Sequence, residues 1–365
     1  MDRREFLTGA GASLALAAGC KTGAASFEPA AAKGFAWGFL LHLGANMWED
    51  IPRPPAPEGG WPDYLKGEAL EHAINGRRLS GAKDYLRCDD AMWDAAVDEI
   101  VSQGLNQVVI DLGEGVVYPS HPELAVKGSW SVDKLRRALA RLRTAGVEPV
   151  PKLNFSTCHD RWLGDYERMV STPAYYKVVE DVIRDTCEMF DSPRLFHVGF
   201  DEEDYAHQQY YGYAVVRQGE LWWHDLGFVI REVERNGARA WMWADKIWHD
   251  RTGFEKRMSR DVLMSNWYYL LDFDPPKTSE LYPMVHAYEW LERAGFDQVP
   301  TSSSCTNYST DPRSAQATAD HAKRTIAPSR LKGFLQTSWQ RTENRESGLI
   351  LQSIRQLGAV KRGWK

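Results

Sequence analysis

Cysteine is scarce: there are five in 365 residues, with no CxxC pair and no other close metal-type spacing. That argues against a zinc site. No His-x-His or His-Glu-x-x-His pair occurs, so the short metal-ligand motifs are missing as well. Basic charge is not in excess. Lys and Arg number 44 against 50 Asp and Glu, a net charge of −6, which offers no field for nucleic acid. Long apolar runs are absent. The stretch from Ala10 to Ala18 falls well short of the ~20 residues that cross a bilayer, and no later segment comes closer. No Gly-rich phosphate loop follows the first strand-like segment, which disfavours a doubly wound dinucleotide fold.

What is present is a long, aromatic-rich chain. Hydrophobic residues make up 43%, with 15 Trp, 15 Tyr and 13 Phe. Large side chains serve a large core, and Trp and Tyr faces also stack on sugar rings. Their positions have to decide between the two. The N-terminus reads as an address. Arg3 and Arg4 precede Phe6, Leu7 and the short apolar stretch, in the order of a signal peptide. The paired arginines resemble the twin-arginine export type, and Ala17-Ala18-Gly19-Cys20 resembles a lipobox. Residues 1–20 are therefore expected to be a signal peptide, 21–34 a tether and 35–365 one catalytic domain. The expected location is the periplasm or cell envelope, with a lipid on Cys20 as the only membrane attachment. Cys88, Cys158, Cys187 and Cys305 then remain, and their disulfide state is not readable from spacing.

After the tether, strand and helix alternate. Strands are predicted over Phe35–Leu43, Asn106–Asp111, Val147–Asn154, Arg194–Phe200, Ala238–Ala244, Asp261–Asn266, Phe296–Thr301 and Leu331–Thr337. Helices are predicted over Asp89–Gln103, Val132–Thr144, Pro173–Phe190, Glu220–Asn236, Ser279–Arg293, Ser314–Ile326 and Arg345–Val360, with a short one near Phe254–Met258. In the first of these, Met92, Ala96, Val97 and Ile100 recur at helical spacing. Gly146, Gly237 and Gly295 sit where helices should stop. Eight such units imply a parallel sheet with right-handed crossovers, closed as an α/β (β/α)8 TIM barrel. The connection from Asn46 to Asp89 is rich in Pro and Gly and reads as an irregular loop over one barrel mouth.

Barrel active sites lie at the C-terminal strand ends. Those ends carry His42 and Asn46 to Trp48; Asp111 and Glu114; Lys152, Asn154 and His159; His197 with Asp201 to Asp204; Trp243 and Asp245; Trp267 to Tyr269; Thr301 to Cys305 with Tyr308; and Ser338-Trp339. Carboxylates, His, Asn and Trp collected at one mouth are the chemistry of a sugar pocket. The densest acidic cluster follows the fourth strand. Adjacent carboxylates in a partly dry site cannot all ionise cheaply, so one is expected to keep a proton, as a general acid must.

Phe196-His197-Val198-Gly199-Phe200-Asp201-Glu202 resembles the His-x-Gly-Gly-Asp-Glu motif of the β-N-acetylhexosaminidases of glycoside hydrolase family 20. Phe200 stands where that motif has its second glycine. The resemblance implies Glu202 as the acid/base and Asp201 as the residue that orients a 2-acetamido group, whose oxygen attacks the anomeric carbon. It implies His197 as a buried organiser of the pair. Pro151 to His159 and Gly333 to Trp339 loosely resemble the family's third and last strands. The seventh-strand end, Thr301-Ser302-Ser303-Ser304-Cys305, carries no carboxylate. An ordinary retaining glycosidase needs a second carboxylate about 5–5.5 Å from the first, whereas a substrate that brings its own nucleophile does not. An inverting enzyme would take its base from Asp111, Glu114 or Asp245.

The substrate-binding set is thus expected to be His159, His197, Asn154, Asp245, Trp243, Trp267, Tyr308 and Trp339, with a carbohydrate partner, no cofactor and no metal. Asp245 binds a hydroxyl or pairs with Lys246. Trp222, Trp223 and Trp290 read as helix packing, and His207 and His249 as surface residues. Two other functions stay open. One is a metal-dependent barrel enzyme using His42, His159, His197, Asp201 and Asp245. The other is a glycan-binding lipoprotein without turnover.

The N-terminal reading predicts a difference between wild type and Cys20→Ala on cell fractionation. Wild type should partition with membranes and the variant should not. Equal release of both would remove lipidation.

Overall fold

The computed structural model describes residues 34–47, 81–208, 213–303 and 311–364. The expected signal peptide with Cys20, most of the first connection, Cys305 and Tyr308 lie outside the described residues.

Eight strands follow one another: β1 (Ala36–His42), β2 (Gln107–Asp111), β3 (Glu148–Lys152), β4 (Leu195–His197), β5 (Arg239–Trp243), β6 (Leu263–Ser265), β7 (Thr301–Ser303) and β8 (Gly333–Thr337). All their pairings are parallel, in the order β6-β5-β4-β3-β2-β1-β8-β7. Bridges Met264–Gln298 and Trp267–Thr301 join the two edges and close the sheet. The fold is the expected (β/α)8 barrel. Around it run α1 (Asp90–Ser102), α2 (Val132–Thr144), α3 (Pro173–Met189), α4 (Tyr205–Gln208), α5 (Gly219–Arg235), α6 (Lys246–His249), α7 (Arg251–Arg257), α8 (Leu281–Ala294), α9 (Ser314–Thr325) and α10 (Ser347–Gly363). Among the described residues no helix is long and apolar enough to cross a membrane.

Three of the helices, α2, α3 and α7, begin at a side-chain cap. Ser131 accepts the Lys134 N–H ahead of α2, and Thr172 accepts that of Tyr175 ahead of α3, which has Pro173 in its first turn. Gly295 closes α8 at φ 85°, a conformation that costs glycine little. The fifth helix, expected near Phe254–Met258, is two short helices, α6 and α7. Asp250 breaks the run and caps α7 through the Gly253 N–H.

Two strands depart from expectation. β4 stops at His197, because Gly199 and Phe200 turn left-handed and leave the ladder. β7 starts at Thr301, where the expected Phe296–Thr301 strand ends. Pro300 has no N–H to donate, and the preceding segment pairs through isolated bridges at Gln298.

Along each strand alternate residues face opposite sides. The outward set, including Phe39, Val108, Ile110, Phe196, Met242 and Phe334, packs on helix residues such as Ile100, Leu139, Val182 and Leu357. The inward set forms a second apolar cluster from Leu40, Val109, Val150, Leu195, Trp241, Trp243, Leu263, Val299 and Leu335. Two residues further on, the same faces present His42, Asp111, Lys152 and His197. These four are in register on neighbouring strands. An apolar plug therefore floors a polar layer at the C-terminal mouth.

Leu335 is fully buried in that plug. Leu335→Ala should destabilise the domain by about 2–5 kcal/mol, read as a lower urea midpoint. An unchanged midpoint would show that the barrel interior is not packed as described.

Candidate active site

The site is built on the turn that follows β4. Gly199, Phe200 and Glu202 all have positive φ, at 72°, 67° and 54°. A Cβ on Gly199 would lie 2.0 Å from Asn154 Oδ1, so this position admits only glycine. Left-handed non-glycine residues cost roughly 1–3 kcal/mol each and persist only when their surroundings enforce them. Here the enforcement is visible. Asn154, just beyond β3, accepts the N–H groups of Phe200 (3.2 Å) and Ser156 (3.1 Å) on its Oδ1. His197 Nδ1 accepts the Gly199 N–H at 3.1 Å. Asp245 Oδ2, just beyond β5, accepts the Glu202 N–H at 2.9 Å. Arg217 clamps the far side. It binds the Glu203 carboxylate, the Asp225 carboxylate and the Phe155 carbonyl, and stacks on the Phe200 ring.

This turn sets the two carboxylates side by side. Asp201 Oδ1 accepts from Asn154 Nδ2 at 2.8 Å, and Asp201 Oδ2 lies 3.3 Å from His159 Nε2. The same Nε2 lies 3.2 Å from Glu202 Oε2. The other Glu202 oxygen lies 3.5 Å from His207 Nε2. Glu202 is thus held between two imidazoles, while 28% of its side chain stays exposed to the mouth.

Charge is distributed accordingly. Burial alone would raise Glu202, but hydrogen bonds from His159 and His207 outweigh it and hold the carboxyl below its usual range. Asp201 is lowered too; burial opposes this, and the charge and hydrogen bond of His159 prevail. Burial would lower His159, yet the Cys158 sulfur and the Asp201 carboxylate lift it well above the ordinary imidazole value. Burial pushes the Cys158 thiol itself up to about 11, so near neutral pH Asp201 is the anion that counts. The proton expected on one of the clustered carboxylates after β4 is not held by Asp201 or Glu202, because the imidazoles lower both; the raised carboxyl is Asp245, beyond β5. Burial, then the charge of Asp201, pushes it up to about 7.

Beneath and beside the pair, the polar layer is mostly neutralised. Lys152 is fully buried and bonds to Asp111, and His42 Nδ1 lies 3.5 Å from the same carboxylate. Burial lowers His42 to about 4, and burial with nearby Lys152 takes His197 well below its usual value, so both rings are neutral. An aromatic wall runs from His197 to Trp243 (4.4 Å between ring centres), on to Trp339 (5.9 Å) and to His42 (5.9 Å). Trp339 Nε1 donates to Tyr269 Oη at 3.2 Å, and Tyr269 stacks on Trp267.

Of the residues expected at one mouth, Asn154, His159, His197, Asp201, Glu202, Trp243, Asp245, Trp267 and Trp339 occur at the same end of the barrel, while Tyr308 lies outside the described residues. Several have settled partners. Asn154 is spent on the turn and on Asp201. His197 is fully buried and reaches the carboxylates only through Gly199. Asp245 holds the Glu202 amide and does not pair with Lys246, which sits over the Trp222 ring. His207 was expected to be a surface residue, and although it is 41% exposed it contacts Glu202. Its spacing from Asp204, three residues earlier, was the available signal. Tyr269 and Lys152 were visible at strand ends and went unassigned. Among the described residues, the ligand-type atoms of His159, Asp201 and Glu202 lie within 4.8 Å of one another.

No protein-family model matches the sequence, and no curated protein does either. Solved structures do match in fold. The β-N-acetylhexosaminidase from Bacteroides fragilis has a TM-score of 0.57 at 12% identity, covering 89% of this chain and 66% of that one. A GH20 exo-β-N-acetylglucosaminidase from Vibrio harveyi gives 0.54 at 12%, with 90% and 57% covered. A GH20 β-N-acetylhexosaminidase from Streptomyces coelicolor gives 0.55 at 12%, with 89% and 64% covered. The chain thus spans about two thirds or less of these proteins, and what it shares with them at this identity is the barrel.

The raised Asp245 carboxyl has a consequence for stability. An ordinary Asp ionises near ~3.9, and Asp245 near 7. Its contribution is full below about pH 4 and is lost as pH rises through 7. Urea midpoints for wild type and Asp245→Asn should show wild type losing ground to the variant across that window. A constant difference would mean that Asp245 is ionised throughout.

Proposed function

We propose that the protein is a glycoside hydrolase that cleaves 2-acetamido sugars by substrate-assisted, retaining hydrolysis. Glu202 is the acid/base. It protonates the glycosidic oxygen as the acetamido carbonyl oxygen attacks the anomeric carbon, and then takes a proton from the water that opens the cyclised intermediate. Asp201 accepts the acetamido N–H and so aims the attacking oxygen. His159 keeps Asp201 ionised for this task. Trp267, Trp339 and Tyr308 are the proposed sugar-stacking walls; Trp243, expected among them, is buried in the plug and backs Trp339, and His197 and Asp245 support the carboxylate turn. The enzyme works outside the cytoplasm, tethered through Cys20.

One observation carries the reading: Asp201 and Glu202 share the single nitrogen His159 Nε2. Among the described residues, the three acids considered as an alternative base are already committed. Asp111 is bound to Lys152, Asp245 holds the Glu202 N–H, and Glu114 accepts the amides of Ala45 (2.8 Å) and Asn46 (3.0 Å). A conventional second carboxylate is therefore hard to find, and a nucleophile supplied by the substrate removes the need for one. The solved structures that share the barrel include proteins named as β-N-acetylhexosaminidases, which agrees with this choice.

Aryl glycosides with and without a 2-acetamido group provide the test. Acetamido substrates should be preferred, and a thiazoline mimic of the cyclised intermediate should inhibit. General acid help is worth ~10²–10⁴ in rate, so Glu202→Gln should cost about that factor with poor leaving groups and less with good ones. Asp201→Asn should harm acetamido substrates most. Equal rates on 2-hydroxy and 2-acetamido sugars would end the substrate-assisted reading.

A further inference from the structure

If Glu202 is the acid/base, its resting state poses a problem. It lies ionised between two imidazoles, yet it has to deliver a proton. His159 is poorly placed to supply one. Its Nε2 is shared with Asp201, and its side chain is almost fully buried. His207 differs on each count. It sits on α4, one turn past the motif, with its backbone N–H donating to Asp204 Oδ1 at 2.9 Å. Its Nδ1 lies 2.9 and 3.0 Å from the two Asp204 oxygens. That leaves Nε2 aimed at Glu202 Oε1, and Asp201 takes no part on this side. The ring is 41% exposed, so it exchanges protons with solvent.

We propose that the Asp204–His207 pair is the proton exchanger for Glu202. His207 is a positioning residue that acts through the acid and does not touch the sugar. Before cleavage the proton on His207 Nε2 passes to Glu202 Oε1: an N–H bond breaks, an O–H bond forms, and both groups become neutral. Cleavage sends that proton to the leaving oxygen. When water opens the intermediate, Glu202 takes one proton from it and returns a proton to His207. Over the cycle the pair neither gains nor loses a proton.

The titratable groups that act on His207 are Glu202 and Asp204 from the β4 loop and His249 from α6, itself beside Lys246. Partial burial would lower His207 and His249 opposes its charge, but Glu202 and Asp204 prevail and raise it to about 9. An exposed histidine without such partners would titrate near ~6.5.

The test is a ¹⁵N NMR titration of histidine-labelled protein, with the His207 signal assigned by its loss in His207→Gln. Wild type should titrate far above an ordinary histidine. Glu202→Gln and Asp204→Asn should each lower the midpoint by about one pH unit or more, since each removes an adjacent opposite charge. In parallel, the alkaline limb of the kcat/KM profile should move down by about one unit or more in His207→Gln, with the acid limb unmoved. A His207 that titrates as an ordinary histidine and ignores Glu202→Gln overturns the proposal. So does an alkaline limb that stays put while the rate falls, because His207 would then only prop Glu202. The NMR arm needs no turnover. A coupled titration in a protein that cleaves no aryl glycoside supports the pair and removes the glycosidase reading alone.

Discussion

Everything at the mouth depends on the inward period of the parallel strands. Because residues two apart share a face, the plug of Leu40, Val109, Val150 and Leu195 is followed one step up by His42, Asp111, Lys152 and His197. The plug excludes water from below. Charges above it are weakly screened, so their mutual arrangement decides which of them ionise. The outcome is one buried ion pair, Asp111 with Lys152, flanked by two neutral imidazoles. A lone charge at this depth would be costly, and the pairing is what makes the layer tolerable.

On that floor stands a backbone turn that no strand or helix would adopt unaided. One amide side chain, Asn154, fixes it from β3 while Asp245 fixes it from β5. Both also govern the carboxylates, Asn154 by donating to Asp201 and Asp245 by anchoring the Glu202 amide. Geometry and electrostatics therefore have the same source. Fastening the turn places Asp201 and Glu202 on one imidazole, and their charge adds to burial in raising the Asp245 carboxyl.

On the proposed reading of Glu202 as the acid/base, its place between two histidines separates two requirements of acid/base chemistry. The carboxylate has to be ionised at the end of bond cleavage and protonated at its start. His159 answers the first from the buried side, where it is tied to Asp201. In the proposed exchange His207 answers the second from the exposed side, where Asp204 steadies it. Their burial differs because His159 comes from the loop packed beneath the turn, whereas α4 lies at the rim.

Much of this was legible in the chain alone. The eight strand–helix units, the helix limits at Val132–Thr144 and Pro173, and the Asp201-Glu202 pair at a strand end follow from local periodicity, capping and spacing, which act within a few residues. The limits of β4 and β7 were not, because they depend on positive φ at Gly199 and Phe200 and on a missing N–H at Pro300 within a ladder formed by distant segments. The same divide runs through the site. Which residue types reach the mouth is a local matter of strand period. Which carboxyl is raised, and whether His207 faces solvent or Glu202, depends on distances of 2.8 to 3.5 Å between residues at the ends of β3, β4 and β5 and on α4. Those distances exist only once the barrel has closed, since a charge responds to its neighbours in space and to the water they displace.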